Sequence, residues 1–266
     1  MKKIIAIGAI TLSLIVASYW LSTLKGPYTT ETANTQKTLV VGTNVGYPPF
    51  IFTDVDGSVT GFDAGVAAAL AEQMDRTLVI KDMAFDALLL ALTHGSVDMI
   101  IGGISITKAR KETGLLIPYY GTAVDKVALF YQGTSALKNI SLEEAAAQNL
   151  SVCTQAGSIF EEIIQAFPGI RLKTLPDISD ICLEISQGHS DIGLLDTDSV
   201  AALVRSKPLL KSHTITLAPD QVTEGFGLGV ATTNTALRQE VTTALQQLKT
   251  DGVIAQLART WFEKEI

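Results

Sequence analysis

Cysteine and histidine are scarce in this 266-residue chain: two cysteines, Cys153 and Cys182, and three histidines, His94, His189 and His213. None of the histidines stands at a metal-ligand spacing from a cysteine or from another histidine, so a metal centre is not expected and no cofactor is called for. Two cysteines, both in the second half, leave two readings open. They pair in an oxidising compartment, or they serve as two small buried hydrophobes. Positive charge is also in short supply, with 20 Lys and Arg against 27 Asp and Glu and a formal net charge of −7. Residues 1–27 contain no acid at all, so the rest of the chain is more negative still, which disfavours a nucleic-acid partner.

Charge is absent altogether from Ile4 to Leu21, and Lys2-Lys3 precede that apolar run. A basic start followed by a hydrophobic segment is the pattern of an export signal, so a periplasmic location is expected. The run approaches the roughly 18 residues that also span a bilayer, and both a cleaved signal and a retained inner-membrane anchor (residues 1–25) remain open. No cysteine lies in this region, which excludes a lipid-modified cysteine anchor. Residues 26–37 are polar and threonine-rich with no periodicity and read as a linker.

From residue 38 onward the pattern alternates strand and helix, which defines an α/β class. Leu39–Thr43 reads as a strand, Ile51–Val59 as a hairpin turned at Asp56-Gly57, and helices are expected at Asp63–Met74 and Phe85–Thr93. Strands at Leu78–Lys81 and Asp98–Gly102 and a short helix from Lys108 complete a first lobe. The strand Lys126–Tyr131 leaves it, and a second run of alternating elements follows to about Leu217. A strand at Gly225–Ala231 then returns, ahead of two amphipathic helices at Thr235–Thr250 and Val253–Phe262. The second lobe (129–218) is thus an insertion in the first (38–128 and 219–266), and two connecting strands make a hinge suited to closure around a ligand.

An internal echo points to the ligand. Leu92-Thr-His-Gly95-Ser-Val-Asp98 and the segment from Leu183 to Gly188-His-Ser-Asp191 each end a helix at glycine, reach an aspartate, and enter an all-apolar run. The first run leads through Gly103, Ser105 and Thr107 to Arg110; the second ends at Asp196. Ligands in open α/β sheets bind beyond the carboxyl ends of the strands, so two facing lobes present a guanidinium and a carboxylate to one cleft. That pair clamps a zwitterion, with Arg110 forking onto a carboxylate and Asp196 accepting an ammonium. Asp198 or Ser199 is expected to cap the following helix and leave Asp196 free. Tyr47, before Pro48-Pro49, and Phe85 are flat side chains at strand ends that sandwich a ligand side chain. Asn44 offers a donor and an acceptor, and Gly157-Ser158 a free N–H and a hydroxyl at a helix start.

These residues resemble bacterial family 3 solute-binding proteins, the polar-amino-acid receptors of ABC importers. The resemblance runs from about Leu39 to Phe262 through Val41-Gly-Thr-Asn-Val-Gly-Tyr47-Pro-Pro-Phe50, Gly61-Phe-Asp63, Phe85-Asp-Ala-Leu88, Gly103-Ile-Ser-Ile-Thr107 with Arg110, Pro118-Tyr-Tyr120, and Asp191 to Asp196. It implies a two-lobed periplasmic-binding-protein fold of the type II clamshell kind, an inner-membrane ABC permease as partner, and a monomer that is not an enzyme. It also implies backbone or hydroxyl contacts to the ligand from Gly103, Ser105 and Ser158. Similarity is greatest to arginine-binding members, so L-arginine leads, with glutamine or another polar amino acid behind it. Many receptors for cationic amino acids carry aspartate where Asn44 stands. Gly65 replaces a second acid that the family usually places after Gly-Phe-Asp, weakening that helix by roughly 1 kcal/mol relative to alanine. Two other readings are a surface adhesin or sensor and an enzyme like the cyclohexadienyl dehydratases, with Asp196 or Glu161 as general acid.

Overall fold

The computed structural model describes residues 37–133 and 137–262; the expectations for the leader and most of the linker lie outside the described residues. In chain order the first lobe begins with β1 (Lys37–Thr43), the hairpin β2 (Phe52–Thr53) and β3 (Val59–Thr60), and α1 (Phe62–Gln73). It continues with β4 (Arg76–Asp82), a 3₁₀ turn (Phe85–Ala87), α2 (Leu88–Thr93), β5 (Met99–Ile100), α3 (Lys108–Glu112) and β6 (Leu116–Tyr120). The second lobe holds β7 (Lys126–Gln132), α4 (Leu142–Ala147), β8 (Ser151–Gln155), α5 (Ile159–Gln165) and β9 (Arg171–Leu175). After these come α6 (Ile178–Ser186), β10 (Ile192–Leu195), α7 (Thr197–Ser206) and β11 (Leu210–Thr216). β12 (Phe226–Val230), α8 (Thr235–Thr250) and α9 (Val253–Trp261) close the described chain.

The two lobes are variations on one sheet. The first has strand order β4-β1-β5-β12-β6 and the second β11-β7-β10-β8-β9. In each, three strands run parallel and a fourth, arriving from the other side of the hinge, is antiparallel to its neighbour: β12 against β5, β7 against β10. β12 therefore returns to the first sheet as expected from the sequence. β7 lies wholly in the second sheet from Lys126, whereas the sequence reading divides the lobes after residue 128.

Central strands are apolar because both of their faces are covered. Val41 in β1, Met99 and Ile100 in β5, Val152 and Cys153 in β8, and all of Ile192–Leu195 are buried. Helix α1 turns Phe62, Val66, Ala67 and Leu70 inward, spaced one and two turns apart so that they share one buried face. Gly65 on the same helix meets α9: a Cβ there would lie 2.7 Å from Leu257 Cδ2. The glycine that weakens the helix locally makes room for the C-terminal helix to pack. Cys153 and Cys182 are free thiols, both buried, which decides between the two cysteine readings in favour of small core residues. Burial pushes their pKa values up to about 12 and about 11.

The repeated aspartates have the same structural task in both lobes. Asp98 accepts a hydrogen bond from Val40 N at 2.8 Å while its own N–H donates to Val40 O, stitching the loop before β5 to β1. Asp191 accepts from Ser151 N at 2.8 Å and from Ser151 Oγ at 2.6 Å, and its N–H donates to Ser151 O, stitching the start of β10 to β8. Each carboxylate registers the third strand against the first, and so sets where the loop beyond that strand emerges. Replacing either aspartate by alanine is expected to cost about 1–3 kcal/mol, since it leaves a backbone N–H without its acceptor. Urea unfolding of Asp98→Ala and Asp191→Ala measures this, and a loss under about 0.5 kcal/mol in both would contradict the shared role.

Candidate functional site

The sequence-predicted site residues lie in the segments that follow the carboxyl ends of strands, with Arg110 further on, within α3. Asn44 follows β1, Phe85 follows β4, Gly103 and Ser105 follow β5, Ser158 follows β8, and Asp196 follows β10. The two sets of loops face each other. Tyr47, Phe85, Gly103, Ser105, Arg110 and Ser158 line one cavity, together with Gln155, Ile159 and Phe160. The space left there is about 10 Å³, room for roughly one water molecule. Any amino acid must therefore enter with the lobes apart.

Contacts across the cleft are polar and numerous. Tyr47 OH donates to Asp196 Oδ2. Arg110 Nη2 donates to Gly157 O at 2.9 Å, while its Nη1 holds Ser105 O at 3.1 Å within its own lobe. Asn44 Nδ2 donates to Asp177 Oδ1 at 2.9 Å and to Met83 O at 3.1 Å, and Gln155 Nε2 donates to Asn44 Oδ1 at 2.8 Å. Arg110 also sits over Phe85, its Cζ 5.9 Å from the ring centroid, at the edge of cation–π range. Burial holds its pKa below the usual guanidinium range, and the charge of Glu162 partly offsets that.

Two of the sequence expectations need correction. Asp196 is itself the N-cap of α7: its Oδ1 accepts from Ser199 N at 2.8 Å, so neither Asp198 nor Ser199 relieves it of that duty. A carboxylate has two oxygens, and here one caps while the other faces across the cleft to Tyr47. Burial raises the pKa of Asp196, partly offset by the bonds from Tyr47 and Ser199, and burial next to Asp196 pushes Tyr47 well above its ordinary value. The second concerns the free N–H expected at Gly157-Ser158: Gly157 N donates to Glu161 Oε2 at 2.8 Å and Ser158 N to Gln155 O at 3.3 Å, and at Gly103 the N–H donates to Asp63 Oδ2 at 2.7 Å. Ser158, by contrast, makes no side-chain cap to α5, and its Oγ donates to Gln155 O at 2.6 Å.

Beneath the cleft, Asp63 organises the Gly103 loop. It is fully buried and accepts from Gly103 N and, at 2.5 Å, from Tyr119 OH. Gly103 has φ +60°, and a Cβ on it would lie 2.5 Å from Tyr47 Cε1, so only glycine lets this loop pack on the tyrosine ring. Asp63 thus fixes the floor on which Tyr47 rests, and Tyr47 in turn reaches Asp196.

The lobes join at two crossings. Val124 and Thr223 form an antiparallel bridge with bonds of 2.9 and 3.2 Å, and Leu217 N donates to Asp125 O at 2.8 Å. Gly225, at φ +88°, lies so close to the other crossing that a Cβ would stand 2.7 Å from Tyr120 O.

Two sheet-centred lobes, two hinge crossings and a polar cleft at the strands' carboxyl ends define a clamshell binding protein. The profile of the bacterial extracellular solute-binding proteins, family 3, matches residues 39–264, and the chain belongs to that family. It is 32% identical over 229 residues to the probable ABC transporter arginine-binding protein ArtJ of Chlamydia trachomatis serovar D, covering 86% of this chain and 87% of that protein. It is 30% identical over 242 residues to the putative ABC transporter arginine-binding protein 2 of Escherichia coli K12, covering 87% and 93%. Among solved structures it resembles a mutant of ArgBP from T. maritima, with a TM-score of 0.76, 28% identity, and coverage of 85% of this chain and 96% of that one.

Burial raises the pKa of Asp63 to about 7, offset in part by the bonds from Tyr119 and Gly103. A carboxyl whose folded pKa is above its unfolded value near 4 binds its proton more tightly when folded. Its stabilising contribution is full below about pH 4 and is lost as pH rises through about 7. Urea midpoints measured between pH 4.5 and 8 should therefore fall with rising pH in the wild type, and less steeply in Asp63→Asn. An equal slope in both proteins would remove Asp63 as a source of the dependence.

Proposed function

We propose that this chain is the exported receptor of an ABC importer, and that it captures a free polar amino acid, L-arginine first, by closing its lobes around it. It carries out no chemical step and uses no cofactor. Arg110 holds the ligand's α-carboxylate, Asp196 its α-ammonium, and Tyr47 with Phe85 flank the side chain. Ser105 and Ser158 supply further polar contacts, and Gly103 contributes through its carbonyl.

The observation that carries the cationic ligand is the charge balance around the cleft. Asp196 bonds Tyr47, Asp177 bonds Asn44, Asp82 accepts from Val45 N at 2.8 Å, Glu161 accepts from Gly157 N at 2.8 Å, and Asp86 stands beside Arg110 and Gly157. None of these carboxylates lines the cavity itself, where Arg110 is the one charged side chain among the described residues. Bound to a ligand carboxylate, Arg110 is neutralised, and the remaining field favours a side chain that brings positive charge. The naming of both sequence relatives as arginine-binding proteins agrees with this.

Capture and closure belong to one event. A cavity of about 10 Å³ admits an amino acid only after hinge opening, so ligand contacts to both lobes shift the population toward the closed form. That closed form is what the permease in the inner membrane distinguishes from the open one.

The test is calorimetric titration of Arg110→Ala with L-arginine beside the wild type. Among the described residues the Arg110 side chain bonds only two carbonyl oxygens, so its loss leaves no buried charge unpaired there. Affinity should fall by at least about 100-fold, the loss of a bidentate charge-assisted contact, with the thermal midpoint little changed. Affinity within a few-fold of wild type would contradict the assignment.

A further inference from the structure

We propose that the turn from Lys207 to Lys211, at the outer end of the second lobe, is a membrane contact: Leu209 enters the headgroup region of an anionic bilayer while Lys207 and Lys211 meet its phosphates. An exported receptor that delivers to a membrane permease works beside a bilayer, and to that extent the proposal rests on the receptor reading. The surface itself lies away from the cleft. β7 runs antiparallel to both β10 and β11, with Leu210 opposite Gln132, so the turn stands where β10 begins, whereas Asp196 follows the carboxyl end of β10.

Backbone bonds hold this turn in one shape. Lys207 ends α7 with its N–H on Leu203 O at 2.9 Å, and Pro208, which cannot continue the helix, takes the second place of a turn closed by Leu210 N on Lys207 O at 2.9 Å. Gly133 N donates to Leu209 O at 2.7 Å and fastens the tip to the end of β7. Glycine, asparagine, aspartate or serine usually occupies such a tip. Here it is a leucine, fixed through its carbonyl and yet 85% exposed.

Charge identifies the partner. No acid occurs between Asp198 and Asp220, a stretch that holds Arg205, Lys207 and Lys211, in a chain whose net charge is −7. Arg205 is within reach of the Asp198 charge. Among the described residues neither lysine makes an ion pair, and Lys211 Nζ reaches only Pro208 O, at 3.4 Å. The groove beside the turn, lined by Gln132, Gly133, Ser186 and residues 207–211, has no acidic side chain among the described residues. The first lobe offers the opposite case: Val55, at the tip of the β2–β3 hairpin, is fully exposed too, but stands between Asp54 and Asp56. An anionic surface attracts the first tip and repels the second. A protein partner of ordinary size covers about 800 Å² on each side, far more than one leucine between two lysines provides. A bilayer needs only an apolar tip with cations around it.

The experiment places a polarity-sensitive fluorophore on the full chain, at Leu209→Cys or at Val55→Cys; Cys153 and Cys182 are buried and stay unlabelled. Vesicles of phosphatidylcholine alone are compared with vesicles in which phosphatidylglycerol replaces part of it. Anionic vesicles should shift the emission at 209 to the blue and open it to quenching by nitroxide-bearing lipids, while the label at 55 stays as in buffer. Neutral vesicles should leave both labels unchanged. Each lysine near an anionic surface contributes about fivefold to binding, so Lys207→Gln combined with Lys211→Gln should need at least about tenfold more lipid for the same response. High salt should remove the response. Equal responses at 209 and 55, equal responses to neutral and anionic vesicles, or a response that survives the loss of both lysines would overturn the proposal. A shift at 209 that grows with protein concentration without lipid would give the turn to a second copy of the chain and overturn it as well. No amino acid enters the measurement, so its failure is separate from a failure of the receptor reading, which arginine titration decides.

Discussion

The bond from Tyr47 to Asp196 joins loops 149 residues apart, and much of the site is arranged around it. On one side the Tyr47 ring stacks on Phe50, with centroids 5.1 Å apart, and lies over Gly103, whose loop is held by the buried Asp63. On the other side Asp196 is fixed by capping α7, so its free oxygen has one direction. Rigid supports on both sides make the cleft a matter of lobe position. In the proposed reading, a ligand's ammonium group competes with the tyrosine hydroxyl for Asp196 as the hinge opens.

The same logic explains why the two lobes look alike. Asp98 and Asp191 each tie the third parallel strand to the first, and each places the loop that carries a charged group some residues further on. The aspartates of the repeat are structural, and the chemistry sits beyond them. Two copies of one sheet, facing across a hinge, deliver a cation from one and an anion from the other.

Much of this was legible because strong periodicity survives tertiary context. The α8 helix has the bounds that its pattern predicts, and the central strands announce themselves as apolar runs. The two strands that escaped notice are both edges. β6 contains Pro118, which argues against a strand except at a sheet edge, and that is where it lies. β11, Leu-Lys-Ser-His-Thr-Ile-Thr, is mostly polar because an edge strand needs few apolar residues. Within the site, the sequence pattern did not show which aspartate caps its helix. Asp196 caps its helix while Asp177, at an equally ordinary position before α6, does not, because Asn44 from the other lobe claims it. Gln155 gave little signal for a related reason: a neutral amide at a strand end acquires its meaning from partners more than a hundred residues away, which no local pattern records.

The central claim is that the cleft closes on a zwitterion with a positively charged side chain. Calorimetric titration of the wild-type protein, freed of carried-over ligand by unfolding and refolding, with L-arginine and then L-glutamine, L-lysine, L-histidine and L-ornithine tests it most directly. The account predicts saturable arginine binding at micromolar Kd or tighter, about −8 kcal/mol or better, with glutamine clearly weaker. Silence across all five, or glutamine bound more tightly than arginine, would contradict it.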